Sequence, residues 1–501
     1  MTLRVGIDWD RSGSFNWSGT DTGSDPNEYH DVSDYVALVQ CNRGFEYDPL
    51  FSLNVGQATL KLVNTAQYFD WLIDVNLPII IQYHNGASYQ DIWAGTITSY
   101  QKETGFDAAF LNLTAKDGGF VVSNTLLNMN YIYDVDQTQL YIAKKLLQNY
   151  SNPISPSWRL GTGVLGTTTA LGGTSTITVS GNESLASIIE VYTYQDAIED
   201  TQSTRKNPEK QYDVKKMVED LLNIDGDILI IDGSGDLTLK TYRQLVGESV
   251  SASSLNLDSG ANKSTFRSVD LANVATVIEV SYATKRYDTY HLLASSDGGK
   301  IATGESQEYT LSLAEKATYI GSSVTTSITA SGSYTSTTVQ DGNRWLVTVT
   351  NTSGSELTVS AIKIFGEGYM TEDTTEYVSK DSVLRVDYGT IIRKVNLGCV
   401  DSVNLAASLA GRLRSFFAII RDSIASFTMR KNFITTALTY DVGTVLDLTE
   451  SKSGITAKPH LITEVQFAWN PQSPEFTFKT IPMSPRAWIL GTSLLETATY
   501  V

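Results

Sequence analysis

Apolar and polar residues alternate along much of this chain at the period of two that puts every second side chain on one face of a strand. Asp34-Tyr-Val-Ala-Leu-Val-Gln, Gln57-Ala-Thr-Leu-Lys-Leu-Val, Pro78-Ile-Ile-Ile-Gln-Tyr and Gln90-Asp-Ile-Trp-Ala-Gly-Thr-Ile-Thr are β-branched or aromatic runs separated by turn residues. They predict a closed or strongly curved β domain over residues 1–122. After Asp136 the period changes. Leu140, Ala143, Leu146 and Leu147 share a helical face until Pro153 and Pro156 end it, and a Gly/Thr/Ser stretch follows from Gly161 to Gly181. Val214, Met217, Val218, Leu221 and Leu222 repeat at helical spacing, with Gly226 just beyond as a stop signal. From Asp227 to Lys240 two apolar runs flank an acidic glycine turn, a hairpin signature. Helix and hairpin together mark a small α+β module, residues 123–250.

Residues 250–275 are polar and read as a linker, and a strand resumes at Val274. Between 308 and 370 the chain is strand-rich, with Trp345-Leu-Val-Thr-Val-Thr-Asn and Leu357-Thr-Val-Ser-Ala-Ile-Lys-Ile-Phe separated by Ser/Thr/Gly turns, the pattern of a small β-sandwich within residues 251–384. Ser402 is placed to cap a helix carrying Leu405, Leu409, Leu413 and Phe416 on one face. Strands at Ile424–Met429, Val445–Leu448, His460–Phe467 and Glu475–Ile481 complete a second β domain, 385–482, and 483–501 form a terminal arm. The fold class is mainly β with smaller α+β parts.

A chain of 501 residues exceeds what one core usually supports, so roughly three to four domains are expected. Its 37 basic and 55 acidic side chains give a net charge of −18, which argues against gripping phosphate and suits a surface past which DNA slides without sticking. Cys41 and Cys399 are too few for a disulfide framework or a cysteine zinc site, leaving either two buried thiols or a single bridge between them. The chain shows neither a basic leader followed by an apolar segment nor an apolar run near the ~20 residues of a membrane span. These features imply a soluble product made in the cytoplasm that leaves the cell by lysis or a route other than a signal peptide.

Nucleophile-elbow, P-loop and zinc-protease motifs are absent, and Gly161-Thr-Gly-Val-Leu-Gly166 matches a dinucleotide fingerprint only in letters. His30, His84, His291 and His460 are scattered rather than set at ligand spacing. No catalytic constellation emerges, and the chain reads as a non-enzyme. One loop has a mechanism behind it: Asp8, Asp10, Ser12 and Asn16, with Gly13 at the turn, set oxygen ligands at positions that suit calcium. Ser12 stands where a carboxylate is common and Gly19 cannot supply the closing Glu. The residues therefore favour a metal-free Asx turn, with calcium as the alternative. Of Trp9, Trp17, Trp71, Trp93 and the many tyrosines, most lie in strand patterns and read as core before they read as sugar platforms.

The order of these modules resembles the hub, or tail-tip, proteins of tailed bacteriophages. Val5-Gly-Ile-Asp-Trp-Asp, Asp31-Val-Ser-Asp-Tyr-Val, Gly56-Gln-Ala-Thr-Leu-Lys-Leu-Val-Asn and Trp93-Ala-Gly-Thr-Ile-Thr look like the start of such proteins. Val214–Leu222 with the hairpin to Lys240 is similar to their second module, and Asn273–Tyr282 to their re-entry strand. Asn351 with Ile362-Lys-Ile-Phe-Gly resembles a β insertion. Asp381-Ser-Val, Tyr388-Gly389, the helix 403–415, Val442-Gly-Thr-Val-Leu-Asp-Leu and His460-Leu-Ile-Thr-Glu-Val resemble the last module. The resemblance implies two tube-like β-barrel domains per chain, a small α+β module, an inserted β-sandwich and a homotrimer whose six barrels match a hexameric tail tube. It implies a place at the virion tail tip. Expected partners are the distal tail or tail tube protein, the tape measure protein, tail fibre or spike proteins, and double-stranded DNA that passes without specific binding. About twenty residues follow Pro482, so no cell-wall hydrolase or long receptor-binding extension is expected there. A glycan-binding adhesin, suggested by the Tyr and Trp content and the sandwich, is the alternative.

Overall fold

The computed structural model describes most of residues 2–132 and 212–483, with Ala143 and residues 190–193 between them; the longest stretches outside it are 18–29, 133–142, 144–189, 194–211 and 484–501. The helix expected near Thr138–Tyr150 lies almost wholly outside the described residues, as do the Gly161–Gly181 stretch and the arm after Met483.

Six antiparallel strands build the N-terminal part: β1 (Leu3–Ile7), β2 (Val36–Tyr47), β3 (Phe51–Val63), β4 (Pro78–His84), β5 (Tyr89–Thr104) and β6 (Ala109–Lys116). Their alternation sets which face is buried: Ile79, Ile81 and Tyr83 of β4 and Leu53, Ala58, Leu60 and Leu62 of β3 point inward. Each of these leucines and isoleucines stabilises by roughly 1.5–3 kcal/mol when fully buried. The neighbour order is β1-β4-β5-β6-β3-β2. The outer edge of β1 is met by the segment entering β2, through Ile7 N–H to His30 O and Val32 N–H to Val5 O, both 2.9 Å. The sheet therefore curls strongly.

The α+β module follows. Helix α1 (Gly119–Asn124) precedes α2 (Val214–Asp225), which buries Val214, Val218, Leu221 and Leu222 at the spacing read from sequence. Gly226, at φ +84, ends α2 while its N–H and that of Asp227 bond Leu222 O. The hairpin β7 (Ile228–Ile231) and β8 (Leu237–Lys240) leads into α3 (Tyr242–Val250). A reciprocal cap opens α3: Thr241 N–H bonds Gln244 Oε1 at 2.8 Å and Gln244 N–H bonds Thr241 Oγ1 at 3.3 Å.

The segment expected to be a linker instead supplies two strands, β9 (Ser253–Asn256) and β10 (Asn262–Ser268). They sit at the margins of the main sheet, where a strand needs one inward apolar residue such as Leu255 rather than a full alternating set. Strand β11 (Val277–Tyr282) then enters the three-stranded sheet that β19 and β20 complete below. Beyond it an insertion forms a sandwich of β12 (Lys285–Asp297), β13 (Lys300–Ile301), β14 (Ser306–Ser312), β15 (Ala317–Ala330), β16 (Tyr334–Asp341), β17 (Arg344–Asn351) and β18 (Leu357–Thr371). One sheet places β12, β13 and β15 against β18, the other runs β14-β17-β16, and Leu293, Leu311, Trp345, Val347, Ile362 and Ile364 fill a core of their own. The chain enters and leaves the sandwich side by side, with Lys285 opposite Thr371.

Strands β19 (Thr375–Lys380) and β20 (Ile392–Asn396) flank β11, antiparallel and parallel respectively, and α4 (Val403–Phe417) packs on that sheet. The last strands are β21 (Ser423–Met429), β22 (Val445–Glu450), β23 (Ile455–Trp469) and β24 (Glu475–Pro482). Strand β23 has 15 residues, and β22 occupies its edge only from Ile455 to Leu461; β2 takes the rest, pairing Gly44 with Glu464 through Val39 with Trp469. The two expected barrels are thus joined: one twelve-stranded sheet runs β1-β4-β5-β6-β3-β2-β23-β24-β21-β10, with β22 beside β23 and β9 beside β22, and it does not close into a barrel among the described residues. The overhang of β23 is the physical reason, since its exposed backbone groups need partners. The architecture is mainly β with small α+β parts. Among the described residues, no helix is long and apolar enough to cross a membrane.

Candidate functional site: the seam between the terminal strands

Where β2 meets β23 the backbones come so close that a Cβ on Gly44 would lie 2.3 Å from Thr463 O. Only glycine fits. Both strands are irregular there, with β2 shifting register against β3 between Asn42 and Gly44 and β23 against β24 between Ile462 and Glu464. Arg43, left over at the first shift, turns its side chain inward and is 5% exposed. Its Nε donates to Ile92 O at 2.8 Å, its Nη1 to Ile231 O at 3.3 Å, and the same Nη1 is paired with Asp441. Ile92 is itself the extra residue of a β-bulge in β5. One guanidinium therefore ties together the N-terminal strands, the hairpin of the α+β module and the turn before β22.

The hairpin turn is locked onto the same place. Asp232 Oδ1 accepts the N–H groups of Ser234 (2.9 Å) and Asp236 (3.0 Å), and Ser234 Oγ donates to Asp91 Oδ2 at 2.9 Å. Lys240 Nζ reaches Gly443 O at 3.0 Å and Glu248 at 3.0 Å. Burial pushes the Asp232 carboxyl up to about 6, and the nearby Asp236 and Asp441 charges act in the same direction against Arg43. On the far side of the module, buried Asn223 bonds both backbone groups of Phe51, accepting its N–H at 2.6 Å and donating to its O at 2.9 Å. None of this presents a nucleophile with a base; it is a clamp between modules.

The proposed calcium residues fall elsewhere. Asp8 is fully buried and faces His30, with Nε2 to Oδ1 at 3.9 Å. Asn16 donates its N–H to His30 Nδ1 at 3.0 Å and accepts His30 N–H at 3.3 Å. His30, which the sequence left without a role, is thus what brings Asp8 and Asn16 together. Asp10 and Ser12 lie outside the described residues, and among the described residues no cluster of three or more His, Cys, Asp or Glu could hold a metal ion. The left-handed residue nearby is Arg11, at φ 57, whose guanidinium bonds Asp74 at 2.9 Å.

Cys41 is a free thiol, pushed up to about 12 by burial; Cys399 lies outside the described residues. His460 is fully buried: its Nε2 accepts Ile424 N–H at 3.3 Å and its Nδ1 faces Lys458 O at 2.8 Å, so the neutral ring carries its proton on Nδ1. Burial lowers its pKa to about 4. Trp93 and Trp345 are core residues, and Trp17 is covered on its face by Arg4, 3.7 Å from the ring centre; Trp71 lies outside the described residues.

The fold as a whole resembles that of a known phage tail protein. The 43 kDa tail protein of prophage MuSo2 from Shewanella oneidensis matches 97% of this chain and 100% of its own with a TM-score of 0.50 at 10% identity. A tail protein from Neisseria meningitidis MC58 covers 97% of both chains at a TM-score of 0.46 and 10% identity. Prophage tail protein gp18 from Listeria monocytogenes EGD-e covers 98% of both at 0.40 and 8%. Only the first reaches the similarity on which a shared fold rests. No protein-family model matches the chain, and no curated protein matches it in sequence.

Proposed function

We propose that this chain is a non-enzymatic structural hub at the tip of a phage tail, assembling as a homotrimer that adapts a sixfold tail tube to the tip. The observation that carries this reading is the β2–β23 seam, which sets an N-terminal and a C-terminal group of strands side by side in one chain. Three copies then offer six such groups around an axis, the number a hexameric tube requires. A net charge of −18 suits a wall past which DNA and a tape measure protein travel without sticking. The distal tail or tube protein would bind one end, and fibres or spikes the other. In favour of the hub over the glycan-binding alternative stands the burial of Trp93 and Trp345. The test is the mass of the purified chain with negative-stain imaging. We expect threefold rings at three times 54.8 kDa; a monomeric spike, or antibody labelling along the tail sides of particles, overturns the reading.

A further inference from the structure

The turn between β19 and β20 is tied at its base by Thr276, which is fully buried. Thr276 accepts Asp381 N–H at its carbonyl (2.9 Å) and donates its own N–H to Ile391 O (3.0 Å). Its hydroxyl donates to Gly389 O (2.9 Å) and accepts Ile391 N–H (2.9 Å). A loop anchored in this way holds its tip in place, and the tip carries Val386 at 85% exposed. Ile392 at the start of β20 and Val378 on β19 are exposed as well. Among the described residues, these apolar side chains stay open to solvent.

The charge around them runs against that of the whole chain. Lys380 and Arg385 are exposed, and Arg414 of α4 reaches Lys380 O at 3.3 Å; Asp381 is the carboxylate among the described loop residues. Lys394 is already neutralised by Glu279 at 2.9 Å and Glu376 at 3.3 Å.

We propose that this anchored knob, formed by Lys380, Arg385, Val386, Ile392 and Arg414, docks on the acidic surface of a second copy of the chain. The inference rests on the trimeric reading and names the contact that builds it. An apolar centre with a charged rim is the anatomy of a protein interface, and contact between unlike patches of identical copies is the kind that closes into rings. Charge selects the occupant: a cationic island on a chain of −18 finds its complement on its own copies. Nucleic acid is the poorer fit, because strand-binding grooves pair their cations with aromatic platforms, whereas the exposed apolar side chains among the described residues here are valine and isoleucine.

Sedimentation velocity of the full chain tests the proposal, comparing wild type with Arg385→Glu/Val386→Asp and with Val339→Asp, another exposed apolar position, on β16. We expect wild type at three times the chain mass and Val339→Asp unchanged. The double variant should dissociate at least tenfold more readily, and added salt should weaken the wild-type assembly. Should the double variant melt early, Arg385→Gln/Val386→Ser replaces it. A double variant that assembles as tightly as wild type overturns the docking surface and leaves the trimer standing, whereas a wild type monomeric at every concentration removes the trimer and the proposal with it. Duplex DNA retained by wild type and released by the double variant, with the mass unaltered, also overturns it.

Discussion

Arg43 illustrates how little of a keystone residue is visible in sequence. Nothing in Cys41-Asn-Arg-Gly-Phe marks it, since its partners Ile92, Ile231 and Asp441 are brought to it by three separate register shifts and turns. Arg43→Ala should cost about 3 kcal/mol, because it leaves the buried carbonyls of Ile92 and Ile231 without this donor; urea unfolding measures it. His460 sets a pH dependence of defined sign. Its folded pKa near 4 lies below its ordinary 6.5, so the folded state binds the proton more weakly than the unfolded chain. The stability it contributes is complete above about 6.5 and is lost as the pH falls toward 4, by up to about 3 kcal/mol. A His460→Gln variant should show a flatter loss than wild type between those limits; parallel curves would count against the assignment. The calcium proposal for Asp8, Asp10, Ser12 and Asn16 predicts a Tm lowered by several degrees on adding a chelator. An unchanged melt favours the metal-free turn held by the contacts of His30 with Asp8 and Asn16.

At the scale of elements, sequence reading succeeded where periodicity and punctuation agreed. Val214 to Leu222 with Gly226 produced α2 and its end, and Asp227 to Lys240 produced the hairpin. Helix α3 was missed although Thr241 and Gln244 stand at the spacing of a capping box, because its apolar positions are sparse. Strands β9 and β10 carry the polar composition of a linker because strands at the margins of a sheet do not need an alternating apolar set. The sandwich was legible from its strands, but its independence was not. It has its own core, and Lys285 faces Thr371 where the chain enters and leaves. Replacing 286–370 with a two-residue turn should therefore leave the remaining protein folded, within a few degrees of its original Tm by circular dichroism. Loss of cooperative melting would show that the sandwich supports the main sheet.

For the whole molecule, the class of fold followed from local pattern, whereas the joining of the terminal strands did not. Alternation says which face of β2 or β23 is buried and is silent about which strand lies beside it. The closest signal was Gly44, and a lone glycine in a strand specifies a near approach without naming the neighbour. The seam also explains why the candidate site is a clamp: joining the two ends brings the central module against both, and Arg43 occupies the point where all three meet.

The pairing of β2 with β23 also fixes an order of events during synthesis. Val39 leaves the ribosome long before Trp469, its partner, exists. Until then the N-terminal strands expose a long unsatisfied edge, the kind of surface that recruits other chains. Nascent chains crowded on one message would meet edge to edge before any could complete itself. The growing chain must therefore be shielded, by a chaperone or by the negative charge it carries from the start, so that its last strands become the step that ends its exposure.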